Sequence, residues 1–405
     1  MKFSKLSQLF LVSTLGLLVA VLLTACEIVT IDYVFVADSA GTSAGSAGQI
    51  QVFALDSASG ALRKGGSTVS SGGTGPIAMA LTSDYANLYV ANQTSKNVVH
   101  FTIGSDGQLT SKDTLSLSDT PVALAVNPAN SYLYVLTGIT SATLSEYALS
   151  SGAIATSATA QKVLTLSSYS GDTIVPTALS IMANGAAVFA TAFDKSAYNP
   201  GGTITSSAQP GWVFGYSIGS GGALTALSNS PYAAGVRPSG IAADPTNRFV
   251  YVTDYASSQL IGYSIQTNDS LTYMVNGPFK TGNEPTSIVV DPRGKFIYLA
   301  NALDSDVSAY TITLATGTPS AIVNSNSSLL YATDTQPVSI AIEPALGRFV
   351  YTANHLGNSI TGFRFDSDTG ALTATQAAPY PTDAYPTALA IVPHGNHAVQ
   401  SVVSY

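Results

Sequence analysis

The sequence predicts an all-β fold: a seven-bladed β-propeller with four antiparallel strands per blade, its ring closed by joining the N- and C-terminal strands. Three observations carry this. A phrase Pro-x-x-h-x-h, with h apolar, occurs seven times, as PIAMAL at 76, PVALAV at 121, PTALSI at 176, PSGIAA at 238, PTSIVV at 285, PVSIAI at 337 and PTALAI at 386. The copies lie 45, 55, 62, 47, 52 and 49 residues apart, inside or a little above the range for propeller blades and solenoid units. After the N-terminal segment no helical period is present, and turn residues recur every 8 to 12 positions, as an array of short strands requires.

The elements follow in order within each repeat. The six-residue phrase is a strand, and it stops at turns such as Asn127-Pro128, Asp244-Pro245, Asp291-Pro292 and Glu343-Pro344. Its small and branched residues suit the crowded axis of a ring. Next comes an aromatic or β-branched strand, as in NLYVAN, FVYVTD, FIYLAN and FVYTAN. A third strand (VVHFTI, LIGYSI, VSAYTI, ITGFRF) alternates as a half-buried sheet strand does. A Gly-x-Leu-Thr-like phrase, as in GQLTS and GALTA, opens a more polar fourth strand.

Closure is legible at the two ends. The first repeat starts at a second-strand phrase, DYVFVAD at 32, and the innermost phrase at 386 has no third or fourth strand after it. Joined, they make one blade and leave no exposed sheet edge. HAVQSVVSY at 397 to 405 reads as an eighth second-strand phrase, which would pair outside this count or displace the N-terminal strand.

The 405 residues are 46% apolar and 9% charged, with a net charge of −8. Fifteen scattered basic residues in an acidic chain offer no stripe to replace the counterions of a duplex, so nucleic acid is not an expected partner. The N-terminus, MKFSKLSQLFLVSTLGLLVAVLLTAC, has a basic lead and an uncharged apolar run from Leu9 to Ala25 that suits an export signal better than a membrane span. Leu23-Thr24-Ala25-Cys26 resembles a bacterial lipobox, in which the Cys becomes the lipidated first residue. Cys26 is the single cysteine, so no intramolecular disulfide can form. The expected division is a signal peptide over 1–25, a lipidated tether over 26–31 and the propeller over 32–405. The expected location is the cell envelope, periplasmic or at the cell surface, membrane-anchored through Cys26, with the protein a monomer.

The YVAN-like strands and GALT phrases cover essentially the whole exported portion. They make the chain resemble the bacterial lactonase family of seven-bladed propellers, whose named member is 6-phosphogluconolactonase, and the related YVTN-repeat surface proteins. For members with lactone chemistry, the resemblance implies a Gly-Pro-Arg-His phrase before a central innermost strand and a Tyr-Val-x-Asn-Glu phrase after the next strand. The matching stretches here are Gly235-Val236-Arg237-Pro238-Ser239 and Tyr251-Val252-Thr253-Asp254-Tyr255. Arg237 is retained, whereas Ser239 stands at the His position and Tyr255 at the Glu position.

In a propeller, the loops leading into innermost strands and those joining second to third strands emerge on one face, around the channel. That places Arg237, Glu284, Gln336 and Tyr385 with Asp38, Asn92, Asp254, Asn301, Asn354 and His355. The insertion from Phe193 to Gly211 is expected to overhang the same face as a lid. A catalytic reading assigns Arg237 to a developing oxyanion on a lactone carbonyl and Glu284 or His355 as general base for water. Asp38, Asn92, Asp254, Asn301, Gln336, Asn354 and Tyr385 are the ligand-binding candidates. The competing reading makes Asp254, Asn301 and Asn354 turn caps, Arg237 and Glu284 an inter-blade ion pair, and His355 a solvated loop residue.

Other motifs fail on context. GTSAG at 41 to 45 lies in a low-complexity stretch, without the strand-turn-helix setting of a nucleophile elbow. His394 and His397 lack further local ligands, and Asp304-Ser305-Asp306 and Asp366-Ser367-Asp368 lack a calcium-loop pattern, so no metal or cofactor is expected. Two functions of different class remain. One is a binding or interaction module for a small polar ligand, glycan or protein, and the other is a lactone hydrolase with a diverged site.

Overall fold

The structure, a computed structural model, describes residues 29–39, 47–138, 141–166, 174–195, 210–324, 328, 330–395 and 399–401. The strands form seven separate antiparallel sheets, one per blade. In the blade that opens at Pro285, the innermost strand Pro285–Val290 pairs with Phe296–Asn301, which pairs with Asp306–Ile312. The outer strand is split into Pro319–Ala321 and Leu330–Ala332, both paired to the third strand. Six blades split the outer strand in this way, and the blade opening at Pro76 keeps it whole as Leu109–Ser116.

The ring closes as the two termini imply. Thr30–Asp38 pairs on one side with Pro386–Pro393 and on the other with Gln49–Asp56. The N-terminal strand is therefore not displaced by the eighth phrase. Most of that phrase, 397–398 and 402–405, lies outside the described residues. Its described part, 399–401, is not a strand: the Gln400 N–H donates to the Pro344 carbonyl at 2.8 Å and its Nε2 to the Ala345 carbonyl at 3.0 Å.

The core is distributed between blades. Seven apolar clusters each join two neighbouring blades; one brings Val34, Val36 and Leu389 of the closing blade against Phe349, Tyr351 and Ile360. Side chains of adjacent sheets interdigitate, so burial favours ring closure rather than an open array. On the face opposite the lead-in loops, the acids before the turn prolines satisfy backbone donors. Asp291 Oδ1, for instance, accepts the N–H groups of Lys295 at 2.5 Å and Phe296 at 2.8 Å.

Candidate functional site

Each innermost strand slips by one residue directly after its proline. Pro285 pairs with Asn301, for example, and Ser287 with Ala300. The same slip occurs in all seven blades. Proline has no N–H to give the ladder, so strand starts and bulges are where it is tolerated, and a bulge re-aims the extra side chain. The extra residues are Ile77, Val122, Thr177, Ser239, Thr286, Val338 and Thr387, and all seven line a cavity of about 920 Å³ at the channel mouth. That volume suits a small-molecule site. Three of the ring hydroxyls also latch neighbouring blades: Ser239 donates to the Pro285 carbonyl at 2.5 Å, Thr286 to Pro337 at 3.0 Å and Thr387 to Pro76 at 2.7 Å. Below the mouth the channel narrows to about 240 Å³, with Met79, Leu124, Leu179, Ile241, Ile288 and Leu389 in its wall.

The charge of the cavity is one-sided. Lys195, Arg237 and His355 line it, and among the described residues no carboxylate does. The Arg237 guanidinium lies 4.4 Å from the Tyr255 ring centroid and 5.6 Å from that of Phe193. Ring faces attract a cation and hold its planar group in a fixed attitude. Behind it, Asp254 Oδ1 accepts the Arg237 backbone N–H at 2.9 Å and Oδ2 accepts that of Val236 at 2.9 Å. His355 is held at Nδ1, 3.1 Å from the Pro386 carbonyl. A carbonyl only accepts, so Nδ1 carries the donated proton and Nε2 is the basic nitrogen of the neutral ring.

The other expected residues share this face and do different work. Gln336 lines the cavity. Glu284 does not, and no ion pair joins it to Arg237. Its φ is 55°, and its carbonyl accepts the Ala302 N–H at 2.9 Å. Tyr385 stands on the rim, its ring 5.3 Å from that of His355. Asn92, Asp254, Asn301 and Asn354 are buried away from the cavity and stitch the loops. Asn354 Nδ2, for example, donates to the Ser359 hydroxyl at 3.0 Å and the Thr361 hydroxyl at 2.9 Å. Asp38 is buried in the same position of the closing blade, and its carboxylate oxygens have no hydrogen-bond partner. Burial first, then the Asp383 carboxylate, push its pKa up to about 8, and Lys64 opposes the shift. Cys26, the 41–45 stretch and most of the expected lid, residues 196–209, lie outside the described residues.

The family profile described as a seven-bladed β-propeller lactonase matches residues 25–123 and 102–401. The chain belongs to this lactonase family. No curated protein matches it at the sequence level. Among solved structures, the periplasmic gluconolactonase PpgL of Pseudomonas aeruginosa is 17% identical at a TM-score of 0.70, over 90% of this chain and 99% of that one. A Bacteroides uniformis protein named as a candidate 6-phosphogluconolactonase is 17% identical at 0.71, over 90% and 99%. A Lactobacillus plantarum protein is 16% identical at 0.69, over 90% and 100%. At these identities the likeness shows the shared fold.

Within the lactonase fold, the two departures from the expected motif have definite places. Ser239 is one of the seven bulged residues, and its hydroxyl is bound to Pro285. Tyr255 takes the place expected for a Glu and lies beside the Arg237 guanidinium. Sequence reasoning missed the bulged ring, Lys195 and the aromatic support of Arg237. The signal for the ring is the residue after each repeat proline.

Proposed function

We propose that the mouth of this lactonase-family propeller binds a small anionic ligand of sugar-acid size, as an exported protein tethered to the cell envelope through a lipid on Cys26. One observation carries the ligand class: the cavity is lined by two cations, Lys195 and Arg237, and, among the described residues, by no carboxylate, in a chain whose net charge is −8. Cations gathered at a concave mouth focus an attractive field on an anion. The bulged hydroxyls and Gln336 add polar partners for hydroxyl groups. The tether rests on the basic lead, apolar run and Cys26 of the N-terminus. Calorimetry of the full chain with gluconate and 6-phosphogluconate tests the ligand reading. Binding should weaken at least about tenfold in Arg237→Ala, equivalent to about 1.4 kcal/mol; absence of any binding would sink it.

A second reading, lactone hydrolysis, is favoured by Arg237 and His355 lining the same cavity. The name of the Pseudomonas aeruginosa relative points the same way. His355 Nε2 would take a proton from water as its oxygen attacks the lactone carbonyl carbon, and Arg237 would stabilise the tetrahedral oxyanion. Cleavage of the ring C–O bond returns the proton to the leaving alkoxide. The product, a hydroxy acid, is itself an anion of the class proposed above. Lactone turnover that His355→Gln abolishes, with gluconate binding retained, would establish this chemistry. A parent inert toward sugar and aliphatic lactones would leave binding alone.

A further inference from the structure

The protons of the ring hydroxyls are engaged within the protein. Three of the hydroxyls each lie between two carbonyl oxygens: Ser239 Oγ is 2.5 Å from that of Pro285 and 3.3 Å from that of Thr253. Thr286 Oγ1 is 3.0 Å from the Pro337 oxygen and 3.2 Å from that of Ala300, and Thr387 Oγ1 is 2.7 Å from Pro76 and 3.0 Å from Ala37. The fourth, Thr177 Oγ1, lies 2.8 Å from the Thr191 hydroxyl, whose own proton goes to the Ala178 carbonyl at 3.3 Å, so Thr177 is the donor there too. A hydroxyl has one proton and two lone pairs, and a carbonyl only accepts. Ile77, Val122 and Val338 complete the ring with no polar side-chain atom. The seven residues therefore offer a ligand lone pairs and no hydrogen-bond donor.

This ring lies beneath the cations. All of its members except Val122 line both the mouth cavity and the narrow channel below, whereas Lys195, Arg237, Gln336 and His355 line the mouth cavity alone. Ser287 and Ser339 line only the channel. Donors above and acceptors below give the cavity a direction.

Resting on the anion reading above, we infer that the ring is a specificity filter that orients the ligand and refuses one with acid groups at both ends. A single acid group lies at Lys195 and Arg237, and hydroxyls at the far end donate to Ser239, Thr286 and Thr387. A second carboxylate, or a phosphate dianion, has no proton to donate and would meet the ring as an unpaired, desolvated charge. The ligand class is a polyhydroxy monoacid rather than a diacid or a phosphorylated acid.

Calorimetry of the full chain at neutral pH with gluconate, glucarate and 6-phosphogluconate tests this, because the three differ only at the far carbon. Attraction by charge alone ranks the two doubly acidic ligands above gluconate. The filter ranks gluconate first, by at least about tenfold. Val338→Lys, at a half-buried ring position, supplies a charged donor and should bring glucarate to within about threefold of gluconate. Glucarate or 6-phosphogluconate bound as tightly as gluconate by the parent overturns the filter and leaves the anion reading standing. Failure of all three ligands removes both. A ratio unchanged in folded Val338→Lys protein would place the discrimination outside the ring and overturn the inference as well.

Discussion

The Tyr351 hydroxyl donates to the Gly60 carbonyl at 2.7 Å, across 291 positions of sequence, at the seam between the blade that opens at Pro337 and the closing blade. Tyr89 and Gly152, Tyr251 and Gly317, and Tyr298 and Gly370 repeat the contact from blade to blade at 2.6, 2.6 and 2.9 Å. The tyrosine belongs to the YVAN-like phrase and the glycine, in most copies, to the GALT-like phrase. Two phrases that recur together in the sequence are therefore partners across the inter-blade seam. Gly60 and Gly370 have φ of 69° and 73°, and a Cβ there would meet the rings of Phe349 and Phe296 at 2.4 Å.

Tyr351→Phe should accordingly lower stability by about 1 kcal/mol, the ordinary net worth of one hydrogen bond. Gly370→Ala should cost more, about 2 kcal/mol, because a left-handed backbone and a ring collision add. Urea denaturation of both variants checks the order, and equal losses would contradict it.

Stability should fall as pH rises from about 4 to about 8. Folded Asp38 holds its proton up to about 8, whereas an unfolded Asp releases it near about 4. The folded state thus binds more protons in that window, and the stabilisation present below it is lost on going up through it. Asp32, on the same strand and facing the Glu343 carboxyl, shifts in the same direction through burial and then that neighbour. Asp38→Asn places there the residue found at 92, 301 and 354. Its melting temperature should vary less between pH 5 and 8 than the parent's; an identical slope would remove Asp38 from the account.

Glu284→Gln should leave gluconate affinity within about twofold, since the side chain does not line the cavity. Glu284→Gly should gain about 1 kcal/mol by relieving a left-handed conformation at a non-glycine residue. A loss of lactone turnover in Glu284→Gln would instead restore this residue as a base.

Tyr255→Ala should weaken anion binding by roughly threefold to tenfold, the worth of a partly desolvated cation–π contact. Arg237→Lys should lose a similar amount with its charge intact, because a point charge does not reproduce a planar group stacked on a ring. Tight binding in both would show that charge alone suffices.

The ring and its closure were legible because proline, β-branched residues and turn pairs recur at blade spacing. Arg237, Gln336 and His355 were legible too, from the rule that fixes which loops share a face. Loop position does not fix side-chain direction, which is why Glu284 and the buried Asn92, Asn301 and Asn354 share the face without lining the cavity. Those Asn side chains are drawn inward by hydroxyl and carbonyl groups, of Ser71 for Asn92, Ser308 for Asn301 and Ser359 for Asn354. Strict strand alternation hid the inward residue after each proline, since a bulge interrupts the period of two. Lys195 lies in the insertion from Phe193 to Gly211, which no repeat pattern describes.

The bulge has a consequence for how such a protein can change. Backbone geometry at the seven positions is set by the preceding proline and by pairing on either side, and residues as unlike as Ile77, Thr177 and Ser239 occupy them. Side chains at Ile77, Val122, Thr177 and Val338 can be rewritten one at a time, altering what the vestibule accepts, whereas a change at Ser239, Thr286 or Thr387 also removes a latch between blades.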